Sequence, residues 1–518
     1  MKYDIDRNGS YEFSRTLDRS RDTLLRDTGF QLKTGTTLET QAAYSYSATD
    51  GRIAQISNHL FSYSYTPSSN LLASTTGPIH TVTNLYEPNR DVLDLKQNKV
   101  GTTVISNYDY AVNAIGQRTG VATSGTAYPA LPSWAWSYDA LGQVIAADST
   151  VATSDRSYQY DTIGNRQKTA NSLTLPAAHN YTSNALNQYS SLSINNPPST
   201  INPLHDFDGN MTSGPLPTAP TTNSTLAWDA ENRLTRTTVG SVVTSYQYDA
   251  QSRRIAKIAG TTATSAATLY LYDAWNSIAE YSRSAGVSPT LTLTKTRLWG
   301  TDLSGTPQSA GGVAGLLSES LISNPQSPIY YPTYDGNGNI SEYLTATGTI
   351  AAHFEYDPFG NTVVNTDTSN LFTYRFSTKP RDTETGLYYY GYRYYDPVTG
   401  RWPSRDNIEE SGGVNLYGFG PNSPSKGCDV LGNGWVGDFF DKLNTALGTA
   451  DLGATGSAAG IVTGAGMAGL AAGCIAAKNL VTQCAGNPDC DDTAKLQASA
   501  EKICSKCKDA GNASLGGE

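Results

Sequence analysis

The stretch TSYQYDAQSRRIAKI, residues Thr244 to Ile258, carries the pattern that decides the fold. Its first five residues alternate, which predicts a β-strand that ends at Tyr248. Asp249 and the small residues after it offer side-chain-to-backbone hydrogen bonds and tolerate positive φ, so they predict a turn. A second alternating run follows the turn. The stretch therefore predicts a β-hairpin, and a lone hairpin is at best marginally stable in water.

The same pattern returns along the chain as an aromatic residue, often followed by Asp, then small residues, Gly or Asn, and often Arg. Copies begin at Tyr46, Tyr110, Tyr138, Tyr160, Trp228, Tyr248, Tyr272, Tyr334 and Tyr356. Adjacent copies lie 22 residues apart from Tyr138 to Tyr160 and 20 residues apart from Trp228 to Tyr248. A near-constant period is the signature of a repeat architecture. Stacked hairpins extend one sheet and cover each other's edges, so the body is predicted to be mainly β.

Composition narrows the classes of function. The chain has 518 residues, a formal net charge of −10 and a pI near 5.1, whereas a general nucleic-acid-binding surface needs clustered Lys and Arg. We therefore predict no nucleic-acid partner. The 33 Tyr against 11 Phe suit a pleated surface on which the hydroxyl stays hydrated. The opening residues, MKYDIDRNGSYEF, lack the apolar segment of a secretory signal and begin inside a repeat-like pattern, as expected for part of a longer protein.

A longer motif follows the repeats: GLYYYGYRYYDPVTGRW at residues 386–402, then GGVNLYGF at 412–419. With the repeats, it resembles the Rhs (rearrangement hotspot) family over about residues 40–432. The resemblance implies a spiral YD-repeat β-sheet that winds into a hollow, barrel-like shell closed by an Rhs core. It divides the chain into a shell over residues 1–365, a core over 366–433 and a small, helical C-terminal passenger over 434–518.

The resemblance also implies an aspartyl autoprotease formed by two short boxes 18 residues apart. Here the boxes align with Asp406–Glu410 and Asp429–Asn433, and the spacing is kept. Two carboxylates held close cannot both ionise easily, so one can act as a base and the other as an acid. The candidate catalytic residues are therefore Asp406 and Asp429, tuned by Arg405. The cut would fall between Asn433 and Gly434.

The boxes depart from the family pattern, because both prolines are gone and Asn433 replaces the terminal Leu. The alternative is that Asp406 and Asp429 only form turns, a role that suits the sequences RDN and CDVLGNG. Enzymatic activity is thus left open at this stage.

The residues after Asn433 limit the chemistry of the passenger. The last His of the chain is His353 and the last Arg is Arg405, so the passenger has neither. Because nucleases and deaminases commonly use His as base or ligand, those activities are not expected. Five of the six cysteines lie here, and they could form disulfides or, in the less favoured alternative, bind zinc through Cys484, Cys490, Cys504 and Cys507. We predict no metal and no cofactor.

Residues 452–477 carry no charge over 26 positions, a length that can span a bilayer. Gly456, Gly460 and Gly464 recur at four-residue spacing, as in closely packed membrane helices. Membrane insertion is one hypothesis for this segment. The other is an Ala/Gly-rich helical hairpin folded inside the shell, since Gly and Ala contribute little hydrophobicity.

Three functions follow from the resemblance. The first is a secreted or cell-surface toxin-delivery protein for bacterial competition, which encloses its own tail and has an immunity protein and a secretion apparatus as partners. The second is a surface adhesion protein that binds carbohydrate through exposed Tyr and Trp and does not cut itself. The third is a truncated remnant without function. We rank them in that order.

Overall fold

The computed structural model describes residues 2–3, 13–57, 60–174, 179–195, 198–262, 264–286, 289–322 and 327–437. The chain divides into two compact units, Met1–Asp18 with Gly29–Ala450, and Arg19–Thr28 with Asp451–Glu518. Of the second unit, Arg19–Thr28 is described. It contains a turn in which the amides of Leu24 and Arg26 donate to Asp22 Oδ1 at 2.9 and 3.0 Å.

The first part of the chain forms short antiparallel strands. Lys2–Tyr3 (β1) pairs with Phe13–Ser14 (β2). The strands that follow are β3 (Thr16–Arg21), β4 (Asp27–Thr34), β5 (Thr37–Tyr46), β6 (Ile53–Ile56), β7 (Phe61–Tyr65), β8 (Leu72–Thr76), β9 (Thr81–Tyr86), β10 (Leu93–Val100), β11 (Thr103–Val112), β12 (Arg118–Ser124), β13 (Ser133–Tyr138), β14 (Val144–Ser149), β15 (Arg156–Tyr160), β16 (Arg166–Ala170), β17 (His179–Ser183), β18 (Tyr189–Asn195) and β19 (Pro198–Ile201). From β4 to β19 each strand pairs antiparallel with the next. This succession of hairpins is what the repeats predict.

The second sheet has fourteen strands, again in chain order. They are β20 (Leu204–His205), β21 (Met211–Leu216), β22 (Ala219–Trp228), β23 (Leu234–Val239), β24 (Val242–Tyr248), β25 (Arg254–Ala259), β26 (Ala267–Asp273), β27 (Asn276–Arg283), β28 (Leu291–Trp299), β29 (Leu316–Leu321), β30 (Ile329–Tyr334), β31 (Ile340–Thr345), β32 (Ile350–Tyr356) and β33 (Thr362–Asn365). The prediction of a mainly β chain is confirmed. The described ranges contain three short 3-10 helices, Ala152–Ser154, Phe376–Thr378 and Glu409–Gly412, and no α-helix.

Two small hairpins follow the second sheet. Tyr388–Tyr389 (β34) pairs with Tyr394–Tyr395 (β35), and Gly427–Asp429 (β36) pairs with Trp435–Gly437 (β37). The remainder of this region is irregular backbone held by buried side chains. The two aspartates that the sequence singles out lie here, Asp406 in the irregular backbone and Asp429 at the end of β36.

The Asp of each repeat organises its turn. Asp249 Oδ1 accepts hydrogen bonds from the amides of Gln251 and Arg253 at 2.9 and 3.0 Å, and Asp249 Oδ2 pairs with Arg253. Equivalent side-chain caps occur at Asn113, Asp139, Asp161, Asn184, Asp229, Asp335 and Asp357. A side chain that accepts from the turn amides two and four residues ahead fixes the hairpin locally, which is why Asp or Asn is the constant polar residue.

In most repeats the aromatic residue ties its hairpin to the preceding one. The Tyr248 hydroxyl donates to the Leu234 carbonyl at 2.6 Å. Corresponding bonds link Tyr86 to Leu72, Tyr160 to Val144, Tyr189 to Arg166, Tyr272 to Arg254 and Tyr356 to Ile340, and Trp228 and Trp299 donate through Nε1 in the same way. The prediction of hydrated hydroxyls is wrong at these positions. Tyr and Trp are used because Phe has no donor.

Buried side chains of the two sheets pack together in the first unit. Phe30 of β4 belongs to one apolar cluster with Leu269 of β26, and Tyr108 of β11 belongs to another with Tyr331 of β30. A buried polar contact adds to them, since Ser106 Oγ donates to Glu342 Oε2 at 2.8 Å. Long-range packing of this kind supplies the burial that single hairpins lack.

Several expectations concern residues outside the described ranges. They include the uncharged segment 452–477, the tail cysteines from Cys474 to Cys507, and almost all of the proposed passenger. In the part of the chain that the structure does describe, no helix has both the length and the apolar character that crossing a bilayer requires.

Candidate functional site: two aspartates at one arginine

Arg393 stands at the centre of the site. It lies in the tight turn between β34 and β35, where the Tyr390 amide donates to the Arg393 carbonyl at 3.0 Å. The side chain is 4% exposed, and its guanidinium lies 4.3 Å from the centre of the Trp402 ring. A buried guanidinium needs carboxylates or carbonyls to compensate its lost hydration. Arg393 obtains both.

Asp406 supplies the first carboxylate. Its Oδ2 lies 2.6 Å from Arg393 Nη2, and its side chain is 10% exposed. The Asp406 amide donates to the Leu416 carbonyl at 2.9 Å, and Oδ1 accepts from the Ile408 amide at 3.1 Å. These bonds fix the backbone on either side, so the carboxylate is directed at Arg393.

Asp429 supplies the second carboxylate from the end of β36. Its Oδ2 lies 3.7 Å from the same Arg393 Nη2. Its Oδ1 accepts from the amide of Gly432 at 2.6 Å and from the amide of Gly434 at 3.4 Å. The Asp429 carboxylate therefore accepts a hydrogen bond from the nitrogen of the Asn433–Gly434 peptide bond, where the sequence predicts cleavage.

The turn from Asp429 to Gly434 is fixed on both sides of that bond. The Val430 amide donates to the Gly434 carbonyl at 3.2 Å, and Arg393 Nε donates to the Gly432 carbonyl. Gly432 has φ of 82°, and a Cβ on it would lie 3.1 Å from the main-chain nitrogen of Arg393. Glycine is thus required both by the backbone conformation and by the close approach.

Burial dominates the electrostatics of the site. It raises the pKa of Asp429, against the lowering effect of Arg393 and of the Gly432 and Gly434 amides, and the charge of Asp406 adds to the rise. Burial also lowers the pKa of Arg393, although both carboxylates oppose this. Two carboxylates against one cation leave one negative charge in excess. A single proton on one carboxylate removes that charge, which is the arrangement that acid–base chemistry uses.

The structure thus brings Asp406 and Asp429 to one guanidinium and places Asp429 against the Gly434 amide of the Asn433–Gly434 bond. Arg405 lies elsewhere: it is exposed, and its side chain packs against Gly209. In the described ranges, the ion pairs of both aspartates are with Arg393 and none is with Arg405.

Sequence reasoning missed Arg393. The available signal was a lone arginine inside the aromatic run GLYYYGYRYYD, because an arginine surrounded by buried rings must have an anionic partner. For metal binding, the described residues contain no group of three or more His, Cys, Asp or Glu side chains that could hold an ion.

Several known proteins are similar to this chain in sequence, although no family model matches it. It is 29% identical over 294 residues to the tRNA nuclease WapA of Bacillus subtilis, and 28% identical over 308 residues to toxin subunit YenC1 of Yersinia entomophaga. The chain belongs to the Rhs/YD-repeat shell family. The family that the repeats and the core motif predict is thereby confirmed.

The fold of this Rhs/YD-repeat chain also matches solved structures. The crystal structure of TcdB2-TccC3 superposes with a TM-score of 0.58 at 20% identity, over 81% of this chain and 21% of that one. The matched regions of WapA and YenC1 cover 54% and 56% of this chain, but only 11% and 30% of those proteins. The chain therefore corresponds to a limited part of each relative.

Proposed function

We propose that the chain is the closing part of a toxin-delivery shell that encloses its own C-terminal segment and cuts the Asn433–Gly434 bond with Asp406 and Asp429. The observation that carries the proposal is the position of Asp429. Its carboxylate is bonded to the Gly434 nitrogen and shares the Arg393 guanidinium with Asp406. Closure of the spiral sheet into a hollow shell belongs to the same proposal.

In the proposed reaction, Asp406 is the base and Asp429 the acid. Asp406, paired with the Arg393 guanidinium, takes a proton from water as the water oxygen attacks the Asn433 carbonyl carbon. Asp429, whose pKa burial raises, gives its proton to the Gly434 nitrogen as the carbon–nitrogen bond breaks. The products are a carboxylic acid at Asn433 and an amine at Gly434, and the acid then passes its proton to the amine. The proton taken by Asp406 leaves the dyad with one proton, as at the start.

The intact mass of the purified chain tests this proposal. We expect two species, one ending at Asn433 and one beginning at Gly434, whose summed mass exceeds the uncut chain by one water. Asp429→Asn keeps an oxygen acceptor for both amides but loses the acid, and general acid–base groups contribute about 10²- to 10⁴-fold in rate. This variant should remain uncut.

Asp396→Asn is the matched control. Asp396 is also buried in this region and has a pKa that burial raises to about 6. It accepts from the amides of Val398 at 2.8 Å and Thr399 at 3.3 Å, and neither residue belongs to the site. It should be cut like the unaltered chain. If Asp429→Asn is cut at the same bond and rate, the dyad is not responsible.

A second arm separates enzymatic cutting from the spontaneous chemistry of Asn–Gly bonds. Spontaneous reactions use the Asn433 side chain, which Asn433→Gln lengthens and so slows. The dyad acts on the main-chain carbonyl and needs no Asn side chain. A cut that persists in Asn433→Gln and disappears in Asp429→Asn therefore supports the dyad, whereas the opposite pattern rejects it.

The relatives suggest a toxic cargo, since their names describe a tRNA nuclease and a toxin subunit. The segment after Asn433 has no His and no Arg, so we propose that it is not a His-dependent nuclease. Secretion or display at the cell surface, and an immunity protein that blocks the cargo, are parts of the same proposal.

Carbohydrate adhesion has less support. Stacking on sugars needs exposed aromatic rings, yet every Tyr and Trp whose side chain the structure describes is at least partly buried. In that part of the chain the exposed large apolar side chains are Leu, Ile and Val residues and Phe207. We therefore favour the delivery function.

A further inference from the structure

A loop outside the two aspartate boxes packs directly against the turn that carries Asp429. The loop runs through Asp302 and Gly311, between β28 and β29. Gly311 approaches so closely that a Cβ on it would lie 2.0 Å from the Val430 carbonyl oxygen, and its φ of 63° also favours glycine. The two turns thus touch backbone to backbone.

Asp302 fixes the shape of this loop. Its Oδ2 accepts from the Ala310 amide at 2.7 Å and from the Gly312 amide at 3.1 Å, and its Oδ1 accepts from the Ser304 amide at 2.9 Å. The two amides that flank Gly311 are therefore both held, and the Gly311 carbonyl has a fixed direction.

Lys379 joins the loop to the Asp429 turn. Its Nζ donates to the Gly311 carbonyl and to the Val430 carbonyl, each at 2.7 Å. The residue is 4% exposed, and Nζ lies 5.4 Å from the centre of the Tyr390 ring. It directly follows the 3-10 helix Phe376–Thr378, and its amide donates to the Phe376 carbonyl at 3.0 Å, which anchors its backbone.

This contact is costly to bury. Removal from water lowers the pKa of Lys379 to about 8, with Cys428, Asp429 and Asp302 opposing the change. A buried ammonium is tolerated where it is used, because its hydrogen bonds to carbonyls replace its hydration. Here one of those carbonyls is that of Val430, the residue after Asp429.

We propose that Lys379 is a positioning residue for the proposed cleavage: it clamps the Val430 carbonyl to Gly311 and so holds Asp429 and the Asn433–Gly434 bond in register. This inference rests on the proposed function for its consequence, but the clamp itself is a statement about the turn alone. Lys379 does not touch the reacting bond. It acts through the backbone that presents the acid.

The first measurement reports the clamp without any cleavage. Cys428 precedes Asp429 in β36, is 4% exposed, and has a pKa that burial raises to about 12, so its thiol should react slowly while the turn is closed. In Lys379→Met, which keeps the length and loses the donors, we expect alkylation of Cys428 to be at least about tenfold faster. Peptide mass spectrometry separates Cys428 from the tail cysteines.

Lys96→Met is the matched control. Lys96 is 6% exposed, lies 5.9 Å from the Tyr334 ring centre, and burial lowers its pKa to about 8, so it is as buried as Lys379 but makes no hydrogen bond to the Asp429 turn. It should leave Cys428 labelling unchanged. Lys379→Arg retains charge and donors and should restore slow labelling in part, which a general loss of packing would not predict.

The second measurement is the rate of cutting after synthesis, followed by pulse-chase. We expect Lys379→Met to slow cutting at least about tenfold, and Lys96→Met to leave the cutting rate unchanged.

The two measurements together separate the clamp from the proposed function. If Cys428 in Lys379→Met is alkylated at the same rate as in the unaltered chain, the clamp is rejected whether or not the chain cuts. If the unaltered chain and Asp429→Asn are both uncut, the proposed function fails, and fast labelling of Lys379→Met then still supports the clamp. Fast labelling with normal cutting rejects the positioning role.

Discussion

The hydroxyls of Tyr158 and Tyr160 offer a direct test of how the repeats are joined. Both residues lie in β15, two positions apart. The Tyr160 hydroxyl donates to the Val144 carbonyl of the preceding strand at 2.9 Å. The Tyr158 hydroxyl is buried and has no hydrogen-bond partner among the described residues. Each Tyr→Phe change removes one oxygen from the same strand, and only one of them removes a bond between hairpins.

The magnitude follows from that difference. Tyr160→Phe loses a hydrogen bond and leaves a carbonyl unsatisfied, so we expect the free energy of unfolding to fall by about 1–2 kcal/mol. Tyr158→Phe removes a buried hydroxyl without a partner, so the free energy should change by less than about 0.5 kcal/mol or should rise. Urea unfolding followed by tryptophan fluorescence, with one slope for all variants, measures both. Equal losses in the two variants would refute the role of the hydroxyl as a link between repeats.

Two further predictions concern the core and the interior. Gly432→Ala places a methyl group 3.1 Å from the Arg393 nitrogen at positive φ, so we expect a loss of about 1–3 kcal/mol and faster proteolysis near residue 432. Burial lowers the pKa of His353, but hydrogen bonds to Glu342 and Glu355 outweigh this and raise it to about 9. Protonated His353 therefore adds on the order of 3 kcal/mol to the free energy of unfolding. This stabilisation is complete below pH 6.5 and is lost as the pH rises through 9. His353→Gln should flatten that decline in thermal melts; an unchanged slope contradicts it.

The sequence was sufficient to predict the hairpins because their determinants are local. Asp249 caps amides two and four residues ahead, and a local bond of this kind needs no knowledge of the rest of the fold. The link from Tyr248 to Leu234 could not be predicted in the same way. It spans 14 residues and depends on how far one hairpin is offset from the next. Composition indicated a wet face for Tyr, whereas the offset places the hydroxyls against carbonyls.

At the candidate site, too, the sequence predicted the features that depend on spacing along the chain and missed a contact that depends on the folded structure. Spacing alone singled out Asp406 and Asp429, and the structure places both at one guanidinium. Adjacency suggested Arg405 as their partner. Neighbouring residues in an extended chain point in opposite directions, however, and the guanidinium that reaches Asp406 comes from Arg393, 13 residues earlier. This pairing depends on the turn between β34 and β35. Strands of only two residues leave no recognisable pattern in a sequence, so the turn could not be predicted.

The position of the proposed cut separates cleavage from release. The bond between Asn433 and Gly434 lies in the turn of a hairpin, and the residues after it form β37, which pairs with β36 in the register Asp429–Trp435 and Gly427–Gly437. Hydrolysis would remove the covalent connection but none of these cross-strand pairs. The new amine at Gly434 would also remain beside the Asp429 carboxylate, and a charge pair there would strengthen the contact. The proposed delivery would therefore need a second event that separates β37 from β36, because hydrolysis alone would leave the proposed cargo paired with the strand that carries Asp429.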